Sequence, residues 1–76
     1  MSTYTVTMIG YTYGEVGTTD TTRYTMTITG TQDDILQQVK NHAFHMVNKG
    51  GFEDVQAVIE SLDGMVTRIE DATVLI

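Results

Sequence analysis

Apolar and polar side chains alternate strictly at two places in the first thirty residues. Tyr4, Val6 and Met8 alternate with Thr3, Thr5 and Thr7, and Tyr24, Met26 and Ile28 alternate with Thr25, Thr27 and Thr29. A period of two in β-branched and aromatic residues predicts strands. The heptapeptides YTVTMIG and YTMTITG are near repeats. If they pair antiparallel with position numbers summing to 32, Tyr4 meets Ile28, Val6 meets Met26, Met8 meets Tyr24, and threonine meets threonine on the other face. The repetition is what two neighbouring strands under one constraint would write. It is too short for a solenoid.

After Met8 the alternation shifts parity, with Ile9, Tyr11 and Tyr13 where threonines stood and Gly10 at the change. One inserted residue flips an alternation, so a β-bulge near Gly10 is expected to return these side chains to the core. YGEVGTTDTT, rich in glycine and small polar residues, predicts a flexible hairpin connection.

The next element changes period. Thr31 as N-cap, Asp33 and Asp34 in the first turn, and Lys49-Gly50-Gly51 at the end predict a helix over residues 32–48. At 100° per residue Ile35, Leu36, Val39, Ala43, Met46 and Val47 fall in one arc of about 120°, the width of a helix lying on a sheet. Phe44 falls roughly 120° from the centre of that arc, near Lys40, Asn41 and Asn48.

Residues 52–62 allow two readings. Phe52, Val55, Ile59 and Leu62 make a helical stripe, which would give the order ββααβ. Val55, Ala57 and Ile59 also alternate with polar residues, and Asp63-Gly64 is the dipeptide favoured by type I′ hairpin turns. The strand reading is preferred, because Gly50-Gly51 has already ended a helix and VQAVIE is β-branched. The chain is therefore read as one α+β domain over residues 1–76: ββαββ, with an antiparallel or mixed sheet, one helix on one face and the other face open.

Composition narrows the function classes. The chain has 76 residues and no cysteine, which excludes disulfides, thiol nucleophiles and cysteine zinc sites. A core of this size is barely sufficient, so a homodimer or larger homo-oligomer through a sheet face or edge is expected, helped by apolar Val74, Leu75 and Ile76. MSTYTVTMIG has neither the charged start nor the apolar run of a secretory signal, and the longest apolar run falls far short of the roughly 20 residues a membrane helix needs. A cytoplasmic location without membrane attachment is the expectation.

Ten acids against four bases give a formal charge of −6 and a pI near 4.4. Arg23, Lys40, Lys49 and Arg68 are scattered, so direct nucleic-acid binding is not expected, whereas a basic protein surface would attract the chain.

Catalytic and cofactor chemistry finds few parts. His42 and His45 share one helix side, but two ligands without a third histidine or a cysteine do not make a zinc site. Ser2 and Ser61 lack a nucleophile context, the glycines at 10, 14 and 17 do not fit a phosphate loop, and GTTDTT has no lysine. No enzyme activity, cofactor or metal is expected. The two Thr-x-Thr-x-Thr rows resemble the arrays of ice-binding surfaces, which extend over many more strands. Threonine on an exposed sheet face is ordinary strand composition.

The reading is a small acidic, non-enzymatic protein-binding module. Its size, acidity and lack of motifs are shared with phage-encoded inhibitors of host defence, including anti-CRISPR proteins that mimic nucleic-acid charge, though no residue carries a specific resemblance. A structural or assembly protein acting through homotypic sheet contacts is the alternative, and a small-molecule-sequestering oligomer with a tyrosine-lined pocket is a third. The candidate partner-binding residues are Phe44, Asp33, Asp34, Tyr11 and Tyr13.

Overall fold

The structure, a computed structural model, describes residues 2–14 and 17–76. Its order is β1 (Ser2–Tyr13), β2 (Thr19–Gly30), α1 (Gln32–Asn48), β3 (Asp54–Ser61), β4 (Val66–Ile69) and a short 3-10 helix at Ala72–Leu75. The ββαββ order is as expected, and residues 52–62 contribute a strand rather than a second α-helix. The four strands form one sheet in the order β2-β1-β3-β4, antiparallel throughout.

β1 and β2 pair in the register predicted from the repeat, from Ser2 opposite Gly30 to Tyr13 opposite Thr19. Two expectations about this hairpin are corrected. The register runs through Gly10 on both sides of β1 without a break, so there is no bulge there. Strict alternation therefore leaves Ile9, Tyr11 and Tyr13 on the threonine face, away from the helix. The connection is also shorter than YGEVGTTDTT, because Thr19–Thr22 already belong to β2. Of the ten residues expected to form a flexible connection, Glu15 and Val16 lie outside the described residues.

Gly10 has a different role. A Cβ built on it would stand 2.6 Å from Cδ1 of Phe52, and one on Gly50 would stand 2.9 Å from the same ring. The Phe52 ring thus lies between two glycines, over the sheet at one end and under the helix terminus at the other. Only a residue without a side chain lets the ring approach this closely.

Thr31 caps α1 with a full capping box: its hydroxyl accepts from Asp34 N–H at 3.2 Å, and its own N–H donates to the Asp34 carboxylate at 3.0 Å. At the other end Gly51 takes a φ of 72° that turns the chain back toward the sheet. Ile35, Val39, Ala43 and Met46 of the predicted arc are buried against Val6, Met8, Val55, Ala57 and Ile59, with Ala72 of the 3-10 helix closing the core. Leu36, at the arc's margin, remains exposed. The 3-10 helix packs on α1 and β3, leaving Val74 exposed.

Asp63-Gly64 does turn the chain between β3 and β4, but not as a two-residue type I′ turn. Gly64 N–H donates to Ser61 C=O, Ser61 N–H donates to Met65 C=O, and Gly64 takes a φ of 90°. This is a three-residue loop, a type I turn closed by a left-handed glycine.

Candidate functional site

α1 covers one face of the sheet and leaves the other open. On the open face β1 presents Thr3, Thr5, Thr7, Ile9, Tyr11 and Tyr13. The register places Asp54, Gln56, Val58 and Glu60 of β3 beside them, with Thr21, Arg23 and Thr25 of β2 on the other flank. Threonine pairs bond across the hairpin at Thr3–Thr29 (3.0 Å) and Thr7–Thr25 (3.5 Å).

The polar chemistry concentrates at the hairpin-tip end. Tyr11 and Tyr13, two residues apart on one strand face, stand roughly 7 Å from each other. The Tyr11 hydroxyl donates to Gln56 Oε1 at 3.0 Å, and the Tyr13 hydroxyl donates to the Asp54 carboxylate. Glu53 ties the same corner twice, accepting from Tyr13 N–H at 3.0 Å and donating its own N–H to Tyr11 C=O at 2.9 Å. The hydrogen bond to Asp54 pushes the Tyr13 hydroxyl above the usual tyrosine value, reinforced by partial desolvation and by the charges of Asp54 and Glu53. Tyr13 therefore stays a protonated donor at neutral pH. The corner holds two oriented rings bordered by two carboxylates.

The sequence-derived candidates do not converge. Tyr11 and Tyr13 lie on the open face, whereas Asp33, Asp34 and Phe44 lie on the helix that covers the opposite face. Phe44 is 47% exposed, its ring edge-on to His45 at 6.1 Å. It follows Asp33 by eleven residues, so the two share one helix side about 16 Å apart. Asp34 is occupied in the cap. Its carboxyl is held below the usual carboxylate range by the Thr31 backbone N–H and then by the Thr31 side chain.

Sequence reasoning missed Glu53, Asp54 and Gln56, which the β1–β3 register brings to the tyrosines from forty or more positions away. The alternation of VQAVIE was the only signal, and it fixes a strand without fixing its neighbour.

Clefts also lie elsewhere among the described residues. One of about 470 Å³ is lined by Ser2, Tyr4, Gln32, Leu62, Asp63 and neighbours. It sits at the Tyr4–Ser61 end of the sheet, roughly 24 Å along β1 from Tyr11, so the tyrosine pair does not line it. Another runs between α1 and β2, lined by Met8, Tyr24, Met26, His42, His45, Met46 and Phe52. Among the described residues no group of three or more His, Asp or Glu side chains is placed to hold a metal, and no helix is long and apolar enough to cross a membrane.

Comparisons with protein-family models, with curated proteins and with solved structures return no significant match.

Proposed function

We propose that the chain is a non-enzymatic protein-binding module whose recognition surface is the Tyr11–Tyr13 corner of the open face and whose partner presents a basic surface. One observation carries this reading. Two tyrosine rings stand on an uncovered sheet face, with hydroxyls fixed by β3 and the carboxylates of Glu53 and Asp54 at their border. A lysine or arginine has an apolar stem and a cationic head, and this corner offers a ring for the first and a carboxylate for the second. Fixed rings lose little freedom on binding. An inhibitor of a host nucleic-acid-binding protein is the partner class such a surface suits best, because the groove that holds phosphates is lined with those cations.

The test is a titration of the isotopically labelled chain with an oligolysine peptide, followed by NMR at low and raised salt. Shifts concentrated on Tyr11, Tyr13 and residues 53–56, reduced by salt and lost in an E53Q/D54N variant, support the reading. Shifts spread evenly over the acids, or centred on Asp33, would defeat it.

A second reading, homotypic assembly, is favoured by the placement of charge. Asp33, Asp34 and Asp63 lie toward one end of the sheet and Asp20, Glu53 and Asp54 toward the other. Asp33 and Asp34 on the helix therefore do not join Asp54 and Glu60 of the open face in the single strip that mimicry of a nucleic-acid backbone requires.

A further inference from the structure

β2 is an edge strand of twelve residues, paired on one side only. Natural edges are commonly blunted by proline, a bulge, inward charges or brevity. β2 has no proline, its register with β1 is unbroken, and it is as long as its partner. Its two charges, Asp20 and Arg23, cancel, so on a chain of net charge −6 it is a neutral strip along which two copies can approach.

The direction of its backbone groups follows from the sheet. Ser61 N–H donates to Met65 C=O, so the odd-numbered residues of β3 turn their backbone groups toward β4. Even-numbered residues of β3 then bond odd-numbered residues of β1, and even-numbered residues of β1 bond even-numbered residues of β2. The free N–H and C=O groups on the outer edge therefore belong to Thr19, Thr21, Arg23, Thr25, Thr27 and Thr29.

The inner edge of β2 shows which strand fits it: antiparallel YTVTMIG, with Tyr4 on Ile28 and Val6 on Met26. The near copy of that heptapeptide is β2 itself. We propose that two copies of this chain join by antiparallel pairing of their β2 edges about a two-fold axis at Met26, forming one continuous eight-stranded sheet. Tyr24 then faces the second copy's Ile28, Thr25 faces its Thr27, Arg23 faces its Thr29, and Met26 faces its own counterpart.

Position numbers of like parity pair, so both helices lie on one side and both open faces on the other. No like charges are opposed. Tyr24 and Met26 of the row Tyr24, Met26 and Ile28 line the α1–β2 cleft, and Tyr24 is 49% exposed in the single chain. The second copy's identical row extends the apolar surface beside that cleft and removes Tyr24 from water. The Tyr11–Tyr13 corner stays uncovered, so the dimer and the basic-partner reading stand or fall separately.

The chain's lack of cysteine makes single-cysteine variants clean reporters. Met26 would sit in a non-hydrogen-bonded pair on the axis, with Cα atoms about 4.5 Å apart, within disulfide reach. Under mild oxidation M26C should form a covalent dimer quickly, with T25C and L62C far slower. Sedimentation equilibrium of the intact chain should give twice the 8.4 kDa chain mass. Thr25→Pro removes an outward N–H, leaves the backbone hydrogen bonds to β1 in place and loses only the 3.5 Å Thr7–Thr25 side-chain contact, and should yield a folded monomer. If that variant fails to fold, T25K/T27K tests the same edge by placing lysines opposite lysines on the open face. A monomeric intact chain at high micromolar concentration overturns the proposal. So does cross-linking of T25C or L62C as fast as M26C, or a dimer that survives both edge variants.

Discussion

At the scale of single residues, the contact between Gly10 and Phe52 shows how a local signal can be misread. Glycine at a parity change suggests a bulge, yet it serves here as a gap for a ring that arrives from forty-two positions later. Glycine inside a strand ordinarily costs stability relative to alanine. At this position the sign should reverse. Gly10→Ala would set a methyl 2.6 Å from a ring held on its other side by Gly50, and overpacking of that kind costs about 1–3 kcal/mol. A urea unfolding series should show a lower midpoint at unchanged m; an equal or higher midpoint would mean the ring is free to move. Phe44→Ala should do the opposite of a core truncation. With nearly half of its surface already in water, its loss should lower stability by less than about 1 kcal/mol, against the 3–5 kcal/mol of a buried phenylalanine.

At the scale of elements, α1 depends on its cap. Thr31→Ala removes the acceptor for Asp34 N–H and should cost about 1 kcal/mol, visible as a lower melting temperature. Asp34 adds a pH signature. Its folded carboxyl titrates below the usual range, so its contribution is complete above the unfolded value of about 3.9 and is lost as pH falls through the folded value. Asp63, lowered chiefly by the Ser61 hydroxyl, acts with the same sign in the β3–β4 loop. The stability gap between the native chain and D34N should therefore be full at neutral pH and close in acid. A gap constant from neutral pH to well below 3.9 would show that the charge of Asp34 does not support the helix.

At the scale of the whole molecule, the net charge of −6 acts in opposite directions on the two proposed associations. Two like-charged copies repel, and salt screens that repulsion over about 10 Å at 0.1 M, so dimerisation through β2 should strengthen as salt rises. Binding of a basic partner at the Tyr11–Tyr13 corner should weaken over the same range. Light scattering and peptide titration across one salt series would separate them, and parallel salt trends would contradict one of the two assignments.

The chain's own pattern determined the elements that depend on near neighbours. The bounds of α1 follow from Thr31, the two aspartates and Gly50-Gly51, whose effects act within a turn. The β1–β2 register follows from a repeat whose two halves satisfy each other across a short connection. The strand at residues 54–61 was legible as alternation. Only the tertiary structure decided that β1 lies between β2 and β3, that Tyr11 and Tyr13 bond to Gln56 and Asp54, that Phe52 fills the gap over Gly10, and that Phe44 stands on a different surface from the tyrosines. Each of these joins residues far apart in the chain, and the loop closures that bring them together differ little in entropy between competing partners. What selects one partner is the fit of a whole face to the core. That fit is a property of all the elements at once, and no local stretch of sequence records it.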